Sequence, residues 1–191
     1  DISKHSCAAR DRHCQHGVVH MIELGDLRAG IMPGELEDTG RQLLHFPNIT
    51  LKGIGTNLAC RSGVSPDAGN MSELSTLATS IEASFGVTLA TVSGGNSANL
   101  AWALSDADTR RINDLRLGES ILLGRETLQR QPIDGLHTDA ITLVAEVIES
   151  KDKPSRPWGE IAQTAFGEQL PAADRGRVLQ TILAIGQQDT D

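Results

Sequence analysis

The sequence predicts an α/β chain in which parallel βα units are followed by a β-rich segment. Three observations carry this: short apolar runs stopped by glycine-bearing loops, helical stripes after those loops, and a change to β-type runs after Arg130. Residues 2 to about 16 are polar and helix-compatible, and residues 18–24 form the first apolar run, ended by Gly25. Pro33 then opens a helix whose stripe is Leu36, Leu43 and Leu44, stopping near Phe46 and Pro47. Residues 49–56 form the next strand and run into a loop holding Gly63, Pro66 and Gly69. Asn70 with Glu73 gives a capping-box-like start to the best-signalled helix, in which Met71, Leu74, Leu77, Ala78, Ile81 and Phe85 share a face and Gly86 ends the run. Residues 87–92 are a third strand, 93–99 a loop of small residues, 100–104 a short helix, and 115–117 a fourth strand feeding Gly118, Glu119 and Ser120. Beyond Arg130, residues 140–148 and 178–185 are β-type runs separated by a stretch broken by Pro and Gly.

The predicted domains are therefore 1–130, a portion of a barrel, and 131–191, the start of a β-rich domain. A (β/α)8 TIM-type barrel needs about 250 residues, and only four βα units are legible here. The expected architecture is a partial barrel from an excerpt of a longer protein, because open parallel edges call for covering strands.

Composition excludes several function classes. The 191 residues carry a net charge of −8 and a pI near 5.2, with no basic block, which argues against nucleic acid as a partner. No apolar run reaches the ~20 residues that span a bilayer, and the first residues lack a signal-peptide core, so a cytoplasmic chain is expected. Three cysteines, Cys7, Cys14 and Cys60, make an odd number that suits no disulfide framework. The Cys/His-rich start (His5, Cys7, His13, Cys14, His16, His20) has no metal-ligand spacing, and Gly17 breaks a shared helical face. The run from Gly53 to Leu58 fails the dinucleotide fingerprint at Leu58, and Gly95–Asn99 fails the nucleophile elbow at its last position.

What remains is a set of strand-end loops: 55–57, 93–97 and 118–120. Their backbone N–H groups, with the Ser97 hydroxyl, suit a phosphate dianion; ordinary βα turns also favour Gly, Ser and Asn, and both readings fit the pattern. Arg28 and Arg116 each follow an apolar run beside a glycine, where an arginine grips a carboxylate or ring nitrogen, or closes a rim salt bridge.

Four ordered motifs, at 21–31, 51–60, 92–99 and 115–125, resemble the alanine/ornithine racemase family of pyridoxal 5'-phosphate (PLP) enzymes, closest to its ornithine branch. The resemblance runs from about residue 18 to the end. It implies a PLP-binding barrel followed by a β domain, a homodimer with shared active sites, and an amino-acid substrate whose Cα proton is removed and returned. By the same resemblance Ser97, Gly118 and Glu119 are phosphate-binding positions, Arg116 faces the pyridine nitrogen, and Arg28 orients the substrate carboxylate as a catalytic residue. Asn57, a cofactor-binding position by the same resemblance, stands where classical alanine racemases hold histidine, and Met21 where they often hold lysine. The family's Schiff-base lysine matches none of Lys4, Lys52, Lys151 or Lys153, and the chain has no tyrosine for a second base. The 191 residues alone are therefore expected to be inactive. Glu23 and Asp26 are candidate acidic partners for a basic substrate, against structural roles in their loops. The alternatives are a non-catalytic PLP-binding protein, which would not need the β-rich run, and a cofactor-free scaffold, which would not need Ser97 and Arg116.

Overall fold

In the computed structural model, residues 2–162, 173–186 and 189 are described. The chain divides into two compact units, Asp1–Ile141 and Thr142–Asp191. The first unit contains α1 (Ile2–Asp11), β1 (His16–Met21), α2 (Leu36–Leu44), β2 (Ile49–Gly55), α3 (Ala68–Phe85), β3 (Thr91–Asn96), α4 (Leu100–Ala103), β4 (Asp114–Arg116) and α5 (Glu119–Leu123). Its four described strands are all parallel and lie in the order β1-β2-β3-β4. Sequential parallel strands joined by helical crossovers are the arrangement of part of a (β/α)8 barrel.

The core forms where the helical stripes meet the strands. Leu36 and Leu43 of α2, and Leu74, Ala78 and Ile81 of α3, pack with Ile22, Ile49, Leu51, Ile54, Leu89 and Val92. Lys52 is left out of the β1–β2 register, which pairs Val18 with Leu51 and Val19 with Gly53. That bulge resets the alternation, so Ile54 reaches the same core as Ile49 and Leu51. Leu44, read as part of the α2 stripe, is instead exposed.

Helix α3 begins three residues earlier than its sequence signal. Asp67 is the N-cap: its carboxylate accepts the Asn70 N–H at 2.9 Å, and the Asn70 side-chain oxygen accepts the Asp67 N–H at 2.9 Å. Asn70 is thus the returning arm of the box rather than its start. Gly86 closes the helix as expected, with φ 62° and its N–H donating to the Glu82 carbonyl.

Strand β3 is displaced from its expected position, 87–92, to Thr91–Asn96. Ser93, Gly94, Gly95 and Asn96 have low strand propensity, but their neighbour sets the outcome. A Cβ on Gly53 would lie 2.1 Å from the Thr91 carbonyl oxygen, so β2 and β3 approach more closely than side chains there allow. Small residues are what this pairing needs.

The second unit is an antiparallel hairpin of β5 (Val147–Pro154) and β6 (Arg177–Leu183). The run 140–148 was expected to be one strand, yet only its last two residues join β5. The ladder pairs Val147 with Leu183 and Pro154 with Arg177, and one bond further on the Ala184 N–H donates to the Glu146 carbonyl at 2.8 Å; residues 140–145 have no partner strand among the described residues. Ile141, Leu143 and Val144 remain exposed. Of the expected run 178–185, residues up to Leu183 form β6.

Candidate functional site

The carboxyl ends of β2, β3 and β4 converge on a cleft of about 410 Å³, in the ordinary size range of small-molecule sites. Ser97, Arg116, Gly118 and Glu119, all singled out from sequence, line it. Cys60, Asn96, Thr127 and Arg130 line it as well.

Ser97 follows β3 directly and is buried. Its Oγ accepts the N–H groups of Gly118 and Ser120 at 3.3 and 3.1 Å and lies 3.1 Å from the Ser120 hydroxyl. One hydroxyl thereby fixes the turn into α5. Gly118 occupies the outer side of that turn, where an added Cβ would meet nothing within 4 Å. Gly118 is exposed and lines the cleft, with its N–H turned to Ser97.

Arg116, the last residue of β4, is held only by neutral acceptors. Its Nη1 donates to Ser93 Oγ at 2.5 Å, and its Nη2 to the Thr56 carbonyl and Asn57 Oδ1 at 2.8 and 3.2 Å. Asn57 Oδ1 also accepts from Asn96 Nδ2 at 3.0 Å. The Asn96 amide reaches the Leu58 carbonyl at 2.9 Å and accepts the Ala98 N–H at 2.8 Å, capping the turn that carries Ser97. Asn57 and Asn96 further donate to Cys60 Sγ at 3.0 and 3.2 Å. Thus Asn96 links the β2 and β3 loops, a role its sequence position signalled only as an Asn before a helical turn.

The remaining sequence candidates lie elsewhere. Arg28 is exposed and does not line the cleft; its backbone N–H donates to Glu23 Oε2 at 3.1 Å. Glu23 and Asp26 are buried. Burial pushes the Glu23 carboxyl up, but the amides of Leu27, Gly25 and Arg28 outweigh it and hold the group below its ordinary range. Asp26 follows the same balance: burial raises it, and the amides of Ser62, Arg61, Val64 and Cys60 bring it down. Both carboxylates serve as anchors for loops 25–28 and 60–64. His20, on β1, is held below its ordinary value by burial.

Two features of the cleft are compatible with a phosphate-bearing cofactor such as PLP: the Ser97 hydroxyl beside the turn at Gly118, and an arginine that keeps N–H donors beyond those given to Ser93, Thr56 and Asn57. Among the described residues, no group of three or more His, Cys, Asp or Glu side chains is placed to hold a metal ion. No helix among them is long and apolar enough to cross a membrane.

The profile of the alanine racemase N-terminal domain matches residues 1–125. The chain belongs to this family. The match begins at residue 1, so the family reaches further upstream than the motifs from residue 18 indicated. This alanine racemase-family chain is 41% identical over 185 residues to an ornithine racemase of Acetoanaerobium sticklandii, covering 96% of the chain and 52% of that protein. It is 35% identical over 175 residues to a lysine racemase of Thermotoga maritima, covering 91% and 48%. The chain thus spans about half the length of the curated relatives it matches. The alanine racemase of D-cycloserine-producing Streptomyces lavendulae superposes with a TM-score of 0.53 at 15% identity, over 80% of this chain and 40% of that one. These likenesses identify the fold as a partial TIM-type barrel followed by β structure.

Proposed function

We propose that this chain is the PLP-binding part of an amino-acid racemase of the ornithine or alanine type, interconverting L- and D-amino acids. The observation that carries this is the convergence of Ser97, Gly118 and Arg116 on one cleft at the strand ends. The two relatives named for ornithine and lysine favour a diamino acid as substrate.

In this reading residues 1–130 are barrel and residues 131–191 begin the β domain. Ser97 and the backbone of Gly118 and Glu119 hold the phosphate. Arg116 would donate an N–H to the pyridine nitrogen while keeping its own proton, since a guanidinium is not deprotonated in proteins. When bound, PLP supplies the electron sink that stabilises charge at Cα. An arginine rather than an acid beside the ring nitrogen would keep that sink modest, the setting for proton exchange at Cα rather than transamination. Asn57, Ser93 and the Thr56 carbonyl keep the guanidinium aimed. Arg28 would orient the substrate carboxylate only if its exposed loop folds over the cleft. No lysine lines the cleft among the described residues, so the Schiff-base lysine is assigned to another part of the protein, and the 191 residues alone are expected to be inactive. A cytoplasmic homodimer completes the proposal; the three free cysteines suit a reducing compartment.

The test uses the full-length protein: visible absorbance of bound PLP, then racemisation of L-ornithine, L-lysine and L-alanine followed by chiral chromatography. Bound PLP with turnover of a diamino acid supports the proposal. Bound PLP without any turnover moves the protein to the non-catalytic PLP-binding class, and no PLP uptake leaves only a scaffold.

A further inference from the structure

Arg130 lies in a loop that the family motifs do not include, yet it lines the cleft beside Ser97 and Gly118. Its loop is tightly built. The Glu126 carboxylate accepts the N–H groups of Leu128, Gln129 and Gln131 at 2.8 to 3.0 Å, and the Glu126 N–H returns to the Gln131 carbonyl at 3.0 Å. Arg125 donates to the Arg130 carbonyl at 3.0 Å, and Arg125 pairs with Pro132 in an isolated bridge. Within this turn Arg130 takes a left-handed backbone, φ 61°, which costs energy for a residue with a Cβ. The loop spends structure on placing one guanidinium.

Charge explains the placement. Glu119 is the one carboxylate lining the cleft among the described residues, and it sits next to Gly118. A phosphate there would be repelled by it. Arg130 Nη1 donates to Glu119 Oε1, neutralising that charge and keeping its other N–H groups available.

We propose that Arg130 is a phosphate-anchoring residue of this site, bridging the Glu119 carboxylate and the cofactor phosphate. The inference rests on the reading of the cleft as a PLP site. Charge-assisted hydrogen bonds are the strong ones, so Arg130→Ala should weaken PLP binding by about tenfold or more.

The experiment titrates the full-length protein with PLP, with unphosphorylated pyridoxal and with inorganic phosphate, reading absorbance for the first two and calorimetric heat for the third. Arg130→Ala should lose affinity for PLP and phosphate and keep it for pyridoxal. Glu119→Gln should bind phosphate more tightly, and adding Arg130→Ala to it should reverse the gain. Equal loss of PLP and pyridoxal would overturn the proposal, since a loop that merely supports the fold would affect both. So would an Arg130→Ala effect that vanishes in the Glu119→Gln background, which would make Arg130 only a counter-ion. Wild-type protein that takes up no PLP sinks the site reading itself, whereas PLP held equally by wild type and Arg130→Ala sinks this inference alone.

Discussion

Glutamate 82, in the last turn of α3, ties together the segments that lead into β3 and β4. Its carboxylate takes Arg111 in a two-point pair at 2.5 and 2.9 Å and the Leu89 N–H at 2.8 Å. The Arg111 hydrogen bond, then the Leu89 amide, draw its pKa from 4.5 to about 2, against an opposing push from burial. A folded-state pKa below the unfolded one means the stabilisation is complete above about pH 4.5 and is lost as pH falls toward about 2. At about 1.4 kcal/mol per unit this amounts to roughly 3 kcal/mol without screening. Solvent reaches 22% of the Glu82 side chain and 33% of Arg111, which reduces the figure to about 1–2 kcal/mol. Urea unfolding of wild type and Glu82→Gln at pH 7, 4.5 and 3 measures it. The variant should be less stable at pH 7, with the gap narrowing on acidification; groups shared by both proteins cancel in the difference. A gap that stays constant, or widens toward low pH, would refute the assignment.

Three further outcomes follow from the same geometry. Gly118→Ala should melt within a few degrees of wild type, because its methyl meets nothing, yet take up PLP at least about tenfold more weakly in an absorbance titration, because it adds bulk to a residue that lines the cleft. Gly95→Ala should do the opposite and lower stability by about 2 kcal/mol or more in urea unfolding, since Gly95 has φ 145° and its Cβ would lie 2.1 Å from Asn99 Oδ1. Glu23→Gln and Asp26→Asn should lower the melting temperature and leave the preference for ornithine over alanine unchanged; a switched preference would return these carboxylates to the substrate site.

Elements whose signals are local were legible in the sequence. The α3 stripe from Met71 to Ile81 and the Gly86 stop are written within one helix, and the structure reproduces them. What depends on a partner was not. The β3 segment from Ser93 on resembles a loop until Gly53 and Gly55 of β2 stand opposite Thr91 and Ser93, and residues 140–145 resemble a strand until the ladder leaves them without a partner among the described residues. The same division runs through the site. Ser97, Gly118 and Arg116 sit at the ends of their own strands and could be picked out one by one. Asn96 and Arg130 act through contacts across loops, and Thr127 lines the cleft from a later loop; no spacing in the sequence announces any of the three.

The electrostatics of the cleft make a separate point about what it can receive. The chain carries a net charge of −8, so a random cleft on it would be acidic. The charged residues lining this one are Arg116, Arg130 and Glu119, a net of one positive charge among the described residues. These carboxylates are already engaged: Glu23 and Asp26 by backbone amides, Glu119 by Arg130. Among the described residues Arg116 has no carboxylate partner and is fixed instead by a hydroxyl, a carbonyl and an amide. Neutral acceptors orient a guanidinium without cancelling its charge, so the field of Arg116 points into the cleft undiminished. A cleft lined this way on an acidic protein suits an anionic ligand that also offers a neutral acceptor, and the proposed cofactor, PLP, carries both in its phosphate and ring nitrogen.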